Sequence, residues 1–185
     1  MIDETLDELK AAIAKAHDAL KRELSRLRTG RANASMLDGV RVDYYGTPTP
    51  IAQMATVSVP EARLLTVKVW DKSSVKSVEK AITEAGLGLN PMSDGELIRL
   101  PMPALTEERR KELVKVARKH GEECRVAIRA GRREANEMIG QLDSEGEIAA
   151  DDADRAKKKI EELVAQGNQV VEQLVASKEK DILEV

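Results

Sequence analysis

The chain has 185 residues, 42% of them hydrophobic and 34% charged, with a formal net charge of -3, enough for one sizeable core or two small ones. A single cysteine excludes an intramolecular disulfide, no apolar run approaches the roughly 18 residues of a membrane span, and the first residues lack the basic-then-apolar order of a signal peptide, so a reducing cytoplasm is the expected compartment. With no Phe, one Trp and two Tyr, any core must be built from Leu, Ile, Val, Ala and Met.

Leu6, Leu9, Ile13, Ala16, Leu20, Leu24 and Leu27 recur every three or four positions, which predicts an amphipathic helix. Its end is expected near Thr29 and Gly30, because glycine takes the left-handed conformation that closes a helix at little cost. From about Arg31 to Pro103 the pattern changes. Val40, Val42 and Tyr44 alternate with Arg41, Asp43 and Tyr45 until Gly46, Pro48 and Pro50 intervene, which reads as a strand running into a turn. "ATVSV" and "RLLTVKVW" predict two further strands and "ELIRLP" a last one. Between them, "SSVKSVEKAITEAGLGLNP" predicts a short helix capped by Ser73 or Ser74, ended by Gly86, and buried through Val75, Val78, Ala81 and Ile82.

At Thr106 the helical period returns. Leu113, Ala117, His120, Cys124, Ala127, Gly131, Ala135, Met138 and Leu142 follow a three-four alternation until "DSEGE" breaks it, and at about 1.5 Å per residue this helix is roughly 55 Å long. Ala156, Ile160, Leu163, Gly167, Val170 and Leu174 predict a third helix running to the C-terminus. Spacing of this kind sustained over several heptads implies helices packed at a shallow angle. The order of elements predicts an α+β fold: an elongated three-helix bundle built from residues 1–30 and 105–185, with a small α/β domain, residues 31–104, inserted between helices one and two. Two segments cross the junction, and Thr29, Gly30, Arg31, Pro101, Pro103 and Ala104 on them are candidate hinge positions. Glycine frees one segment while prolines stiffen the other, an arrangement that makes either a hinge with restricted directions or a fixed elbow.

Counted by segment, formal charge balances at 0 for residues 1–30, -2 for 31–108, +7 for 109–133 and -8 for 134–185. The basic segment contains "RVAIRAGRRE", with four arginines in nine positions. At about 100° per residue from Arg125, Arg118 lies near +20°, Arg129 near +40°, Arg132 near -20° and Arg133 near +80°, with the apolar stripe centred near -110°. These arginines therefore share one exposed face. Few acids stand three or four positions away to pair with them, Glu122 within the stripe and Glu134 and Glu137 beyond it, and such a face is relieved by an anionic partner. Guanidinium forks suit phosphate. The opposite face is committed to the bundle and cannot enter lipid, and aromatic residues for stacking on single strands are nearly absent. Structured RNA fits this reading; an acidic protein partner or a plain solvated face are the alternatives.

Catalysis has little support. His120 and Cys124 share a helix face, but both fall on the apolar stripe, and His17 lies beside the buried face of helix one, so zinc lacks its usual four ligands. No nucleophile motif, P-loop or dinucleotide fingerprint is present. No cofactor and no metal are expected.

"LRTGRA" at Leu27–Ala32, "DYYGTPTPI" at Asp43–Ile51, "GLGLNP" at Gly86–Pro91, "LTEERRKEL" at Leu105–Leu113 and "RVAIRAGRREAN" at Arg125–Asn136 together closely resemble the ribosome recycling factor family of bacteria and organelles. The resemblance runs the whole chain in order. It implies an L-shaped molecule, a long three-helix bundle hinged to a small α/β domain. It also implies a non-enzymatic translation factor, here expected to be a cytoplasmic monomer. Such a factor binds the large ribosomal subunit after termination and, with elongation factor G and GTP, splits the post-termination complex. The implied contacts with 23S ribosomal RNA fall on Arg132 and Arg129, with Arg110 and Arg28 near the elbow; Arg125 and Arg133 join them through the shared face. The chain departs from the family pattern at Ala130 and Gly131, where Asn and an aliphatic residue are usual, and at Ala149 and Ala150, where a Ser or Thr cap is expected and Asp151 or Asp152 stands in.

Overall fold

A computed structural model describes residues 1–184. The fold is α+β, and the chain divides into two compact units, Met1–Arg28 with the chain from Glu107 onward, and Thr29–Thr106.

The first unit consists of α1 (Ile2–Arg26), α3 (Glu107–Ser144) and α4 (Ala150–Leu183), each packed against the other two. α1 buries Leu9, Ile13, Ala16, Leu20 and Leu24, the stripe its spacing predicts. It stops earlier than expected. Leu27 is the C-cap in an extended conformation, and Gly30, left-handed at φ 75°, bends the outgoing segment instead. α3 ends in a Schellman motif, in which the N–H of Glu147 donates to the Leu142 carbonyl (2.9 Å) and that of Gly146, at φ 71°, to Asp143 (3.1 Å). Ala149 caps α4 without any side-chain bond, and Asp151 and Asp152 occupy its first turn, where a carboxylate suits the helix dipole.

On α3 the buried stripe is rotated from the expected one. Gly121, Ile128 and Ile139 are buried, whereas His120 is half-buried and Ala127 and Met138 are exposed. On α4, likewise, Val164, Val171 and Val175 are buried rather than Leu163, Val170 and Leu174. A three-four alternation leaves one residue of freedom at each step, and the packing of the three helices selects which residue is buried. At 100° per residue the centre of the α3 stripe moves by roughly 30 to 40° toward the arginines. Helices approach closely where glycine faces a neighbour. A Cβ placed on Gly121 would stand 2.7 Å from Val175 Cγ2, one on Gly167 3.0 Å from Ile13 Cγ2, and one on Gly131 3.3 Å from Leu9 Cδ1.

The second unit contains β1 (Arg41–Tyr44), β2 (Thr47–Pro50), β3 (Ala55–Glu61), β4 (Leu64–Val69), α2 (Val75–Glu84), β5 (Met92–Asp94) and β6 (Leu97–Pro101). β1 and β2 form an antiparallel hairpin, and the other strands an antiparallel sheet in the order β3-β4-β6-β5. "TPTP", read from the sequence as a turn, is therefore a strand. Its prolines are tolerated because the hairpin has only two strands, each with a free edge. Tyr45 (φ 51°) and Gly46 (φ 83°) both take positive φ, the two-residue geometry that matches the twist of a hairpin, and the Gly46 N–H donates to Asp43 Oδ1 at 2.9 Å. β5 is too short, at three residues, to show a period. Val42, Leu65, Val67, Val69, Val78, Ile82, Ile98 and Leu100, all fully buried, form the centre of this core. Ser74 stands at the N-cap of α2, as expected, but makes no side-chain cap bond; the bonded cap is Asp71, whose Oδ1 accepts from the N–H (3.0 Å) and hydroxyl (2.7 Å) of Ser73 at the short 3-10 turn that precedes α2. These bonds hold its carboxyl below the usual range, the Ser73 hydroxyl contributing most.

Candidate nucleic-acid interface

α3 is one unbroken helix from Glu107 to Ser144, so Arg118, Arg125, Arg129, Arg132 and Arg133 project from a single rod. The rotation of its core stripe divides them. Arg118, Arg125 and Arg132 lie toward one flank of the buried face, and two of the three reach α4. Arg118 bonds Glu179 through Nε to Oε1 (2.6 Å) and Nη2 to Oε2 (3.3 Å); Arg132 bonds Glu161 through Nε to Oε1 alone (2.7 Å). On α3 itself, Arg129 Nη2 donates to Glu122 Oε1 (2.7 Å), with Arg125 Nη1 at 3.6 Å from the other carboxylate oxygen. The hydrogen bond from Arg129 is the main cause of a lowered Glu122 pKa; desolvation, the next largest effect, opposes it, and the charges of Arg129 and Arg125 add to the lowering. The face is thus more paired than the sequence suggests, because two of its acids come from another helix. Arg133 makes no ion pair among the described residues.

Arg129, Arg132 and Arg133 open onto a common surface depression of about 620 Å³, completed by Val126, Asn136 and Glu137. Val126 supplies an exposed apolar patch there. The depression combines three guanidinium groups, an amide, a short hydrocarbon surface and one carboxylate, that of Glu137, a net positive set that suits a phosphate-bearing chain. Arg125 is half-buried and is not among the residues that line it. Arg110 is half-buried as well, with a Nε that lacks a hydrogen-bond partner, and at 15 residues' distance stands about 22 Å from Arg125 along the helix, outside the depression. Arg28 is exposed just past the end of α1.

The expected hinge positions occupy the ends of the second unit. Thr29 and Gly30 are half-buried, and Arg31, Pro101, Pro103 and Ala104 exposed. Pro101 is the last residue of β6, opposite Leu64; beside these positions the Ala32 N–H donates to the Ala62 carbonyl and the Met102 N–H to that of Arg63, each at 2.8 Å, so both connecting segments are tied to adjacent residues of the β3–β4 turn.

No chemistry gathers around the histidines. His120 Nδ1 lies 3.1 Å from Glu123 on the exposed side, Cys124 is buried with its thiol pushed up by desolvation, and His17 Nε2 donates to the Gly167 carbonyl at 2.9 Å. Among the described residues no three His, Cys, Asp or Glu are grouped as a metal would require, and no helix is long and apolar enough to cross a membrane.

The residues that sequence reasoning missed are Glu161, Glu179, Val126 and Asn136. The first two pair across helices, and a single-helix period carries no signal for such contacts.

A family model described as ribosome recycling factor matches residues 20–183. The chain is 60% identical over 185 residues to the ribosome-recycling factor of Sorangium cellulosum (strain So ce56), covering all of both proteins. It is 53% identical to that of Anaeromyxobacter sp. (strain K), covering 99% of this chain and 97% of the relative. Among solved structures it is similar to a ribosome recycling factor in solution, with a TM-score of 0.74 and 40% identity over 100% of this chain and 98% of the other. It is also similar to a T. thermophilus recycling factor that, with E. coli elongation factor G, is bound to the E. coli post-termination complex, with a TM-score of 0.64 and 40% identity over 99% of each chain.

Proposed function

The chain belongs to the ribosome recycling factor family, and on that premise we propose that the arginine surface of α3 docks it on 23S ribosomal RNA of the large subunit after termination. With elongation factor G and GTP it then splits the post-termination complex in the cytoplasm. One observation carries the docking surface: Arg129, Arg132 and Arg133 open on one depression of a helix whose other side is committed to the bundle. Arg125, on the same helix, and Arg110 and Arg28 make secondary contacts from the same unit.

The chain contributes no bond-making step; its partner hydrolyses the GTP. Its work is mechanical. The bundle holds RNA while the small unit is displaced about Thr29, Gly30 and Arg31 on one segment and Pro101, Pro103 and Ala104 on the other. Gly30's positive φ and the fixed φ of the prolines, about -65°, restrict that displacement to few directions. Supporting this, both segments are anchored to the same β3–β4 turn, through Ala32 and Met102, so the small unit is held at one place on both of them.

Breakdown of polysomes by elongation factor G and GTP, with and without the protein, tests the reading. Recycling is expected only when all three are present, and breakdown at the same rate without the protein overturns it.

A further inference from the structure

Arg132 and Arg118 both reach acids on α4, but they spend different parts of the guanidinium. Arg118 engages Nε and Nη2 on both oxygens of Glu179, whose side chain is only 21% exposed, and so closes the side-on edge of its fork within the bundle. Arg132 gives Glu161 its Nε alone, and among the described residues its two Nη groups make no hydrogen bond. Both members of this second pair are about half exposed, at 47% and 52%. A guanidinium held at Nε cannot turn freely about its last bonds, yet keeps the Nη1–Nη2 edge available for a bidentate contact.

We infer that Glu161 of α4 is a positioning residue, fixing Arg132 so that its Nη edge faces the depression and meets phosphate oxygens already oriented. The inference rests on the docking surface proposed above. An arginine side chain loses several rotatable bonds' freedom on binding, and a carboxylate that removes part of that freedom beforehand lowers the cost of docking. The carboxylate also repels a phosphate. That repulsion acts through solvent at a half-exposed site and across the width of the guanidinium, whereas the orienting bond is direct. The hydrogen-bond acceptor, rather than the negative charge, is therefore the useful part of Glu161.

The experiment uses the full chain and purified large ribosomal subunits, with affinity measured by co-sedimentation at several salt concentrations. Four variants are compared: Glu161→Ala, Glu161→Gln, Arg132→Ala and Glu162→Ala. Glu162 stands one residue on, pairs with Lys159 and does not touch Arg132, so it controls for loss of one acid from α4. Glu161→Ala is expected to weaken binding by about 3- to 10-fold, the scale of one rotamer-rich side chain set free. Glu161→Gln keeps the acceptor and is expected to bind like the parent protein, as is Glu162→Ala. Arg132→Ala is expected to weaken binding and to lower the slope of log affinity against log salt by about 1. If Arg132→Ala binds normally, the docking surface itself is wrong. If Arg132→Ala weakens binding but Glu161→Ala binds as well as the parent or better, or Glu161→Gln falls with Glu161→Ala, positioning by Glu161 is overturned while the surface stands. Thermal unfolding of each variant confirms that the bundle is intact.

Discussion

Arg118 and Glu179 bind α3 to α4 by two hydrogen bonds, of 2.6 and 3.3 Å, that share one guanidinium edge and one carboxylate. The pairing raises the Arg118 pKa, the hydrogen bond to Glu179 contributing most and its charge next. Angular counting puts Arg118 on the same face as Arg132, but its side-on edge is taken by the bundle. Arg118→Ala is therefore expected to lower the melting temperature slightly and leave large-subunit affinity unchanged. Arg132→Ala should do the opposite, weakening affinity by about 1 to 3 kcal/mol with little change in melting temperature. Parallel binding and unfolding curves check the pair, and equal losses of affinity would show that the two arginines are not divided in this way.

The three buried glycines of the bundle should differ in their tolerance of a methyl group. At Gly121 the added Cβ would press on Val175 Cγ2 at 2.7 Å, and a valine on a helix has one strongly preferred rotamer, so it cannot swing aside. Gly121→Ala is expected to cost about 1 to 3 kcal/mol, as overpacking does. At Gly131 the nearest atom is the end of Leu9 at 3.3 Å, and a surface cleft of about 200 Å³ lined by Leu9, Ala12 and Met138 gives it room to move. Gly131→Ala should be neutral or gain up to about 1 kcal/mol from helix propensity. Gly167→Ala, facing Ile13 Cγ2 at 3.0 Å, falls between. Melting temperatures in the order Gly131→Ala, Gly167→Ala, Gly121→Ala are the expected outcome, and a reversed order contradicts the packing.

Glu122 should titrate below the ordinary glutamate value of 4.5, since Arg129 hydrogen-bonds its charged form. A depressed folded-state pKa stabilises the fold above the unfolded-state value, and the contribution is lost as pH falls through the folded-state value. The carboxylate is exposed and the effect on stability is correspondingly small. The direct readout is its side-chain NMR titration: Arg129→Ala is expected to move the midpoint upward, with Arg125 at 3.6 Å retaining part of the shift. A midpoint that does not move would mean that the Arg129 contact does not persist in solution.

Legibility in the sequence followed the range of the interactions. Leu9, Ile13, Ala16, Leu20 and Leu24 of α1 could be read because a short stripe tolerates little drift. On α3 the same spacing runs through 38 residues, and each step from one buried position to the next admits two choices. Ala127 and Met138 fit the pattern as well as Ile128 and Ile139, and only the facing helices decide between them. The arginine cluster was visible because it is local. Its acids Glu161 and Glu179 were not, since they lie 29 and 61 residues away from their partners and are brought there by the α3–α4 packing. In the small unit, "TPTP" failed as a strand signal because proline is weak evidence for a strand unless the free edge of the hairpin is known.

Gly30→Pro tests the mechanical part of the proposal. Gly30 has φ 75°, a value proline cannot adopt, since its ring fixes φ near -65°. The segment must then leave the small unit on another course, although Ala32 remains tied to Ala62. Neither core contains Gly30, so both units are expected to fold, as circular dichroism and unfolding would record. Large-subunit affinity, carried by α3, should be kept within about 2-fold, a few tenths of a kcal/mol. Polysome breakdown with elongation factor G and GTP should slow sharply. Gly30→Ala is the companion variant: its Cβ meets Leu105 Cγ at 3.4 Å, an ordinary contact, and a positive φ costs alanine only about 1 to 2 kcal/mol, so an intermediate rate is expected. Normal recycling by Gly30→Pro would remove Gly30 from the hinge; loss of subunit affinity in the same variant would instead place this segment within the docking surface, beside Arg28.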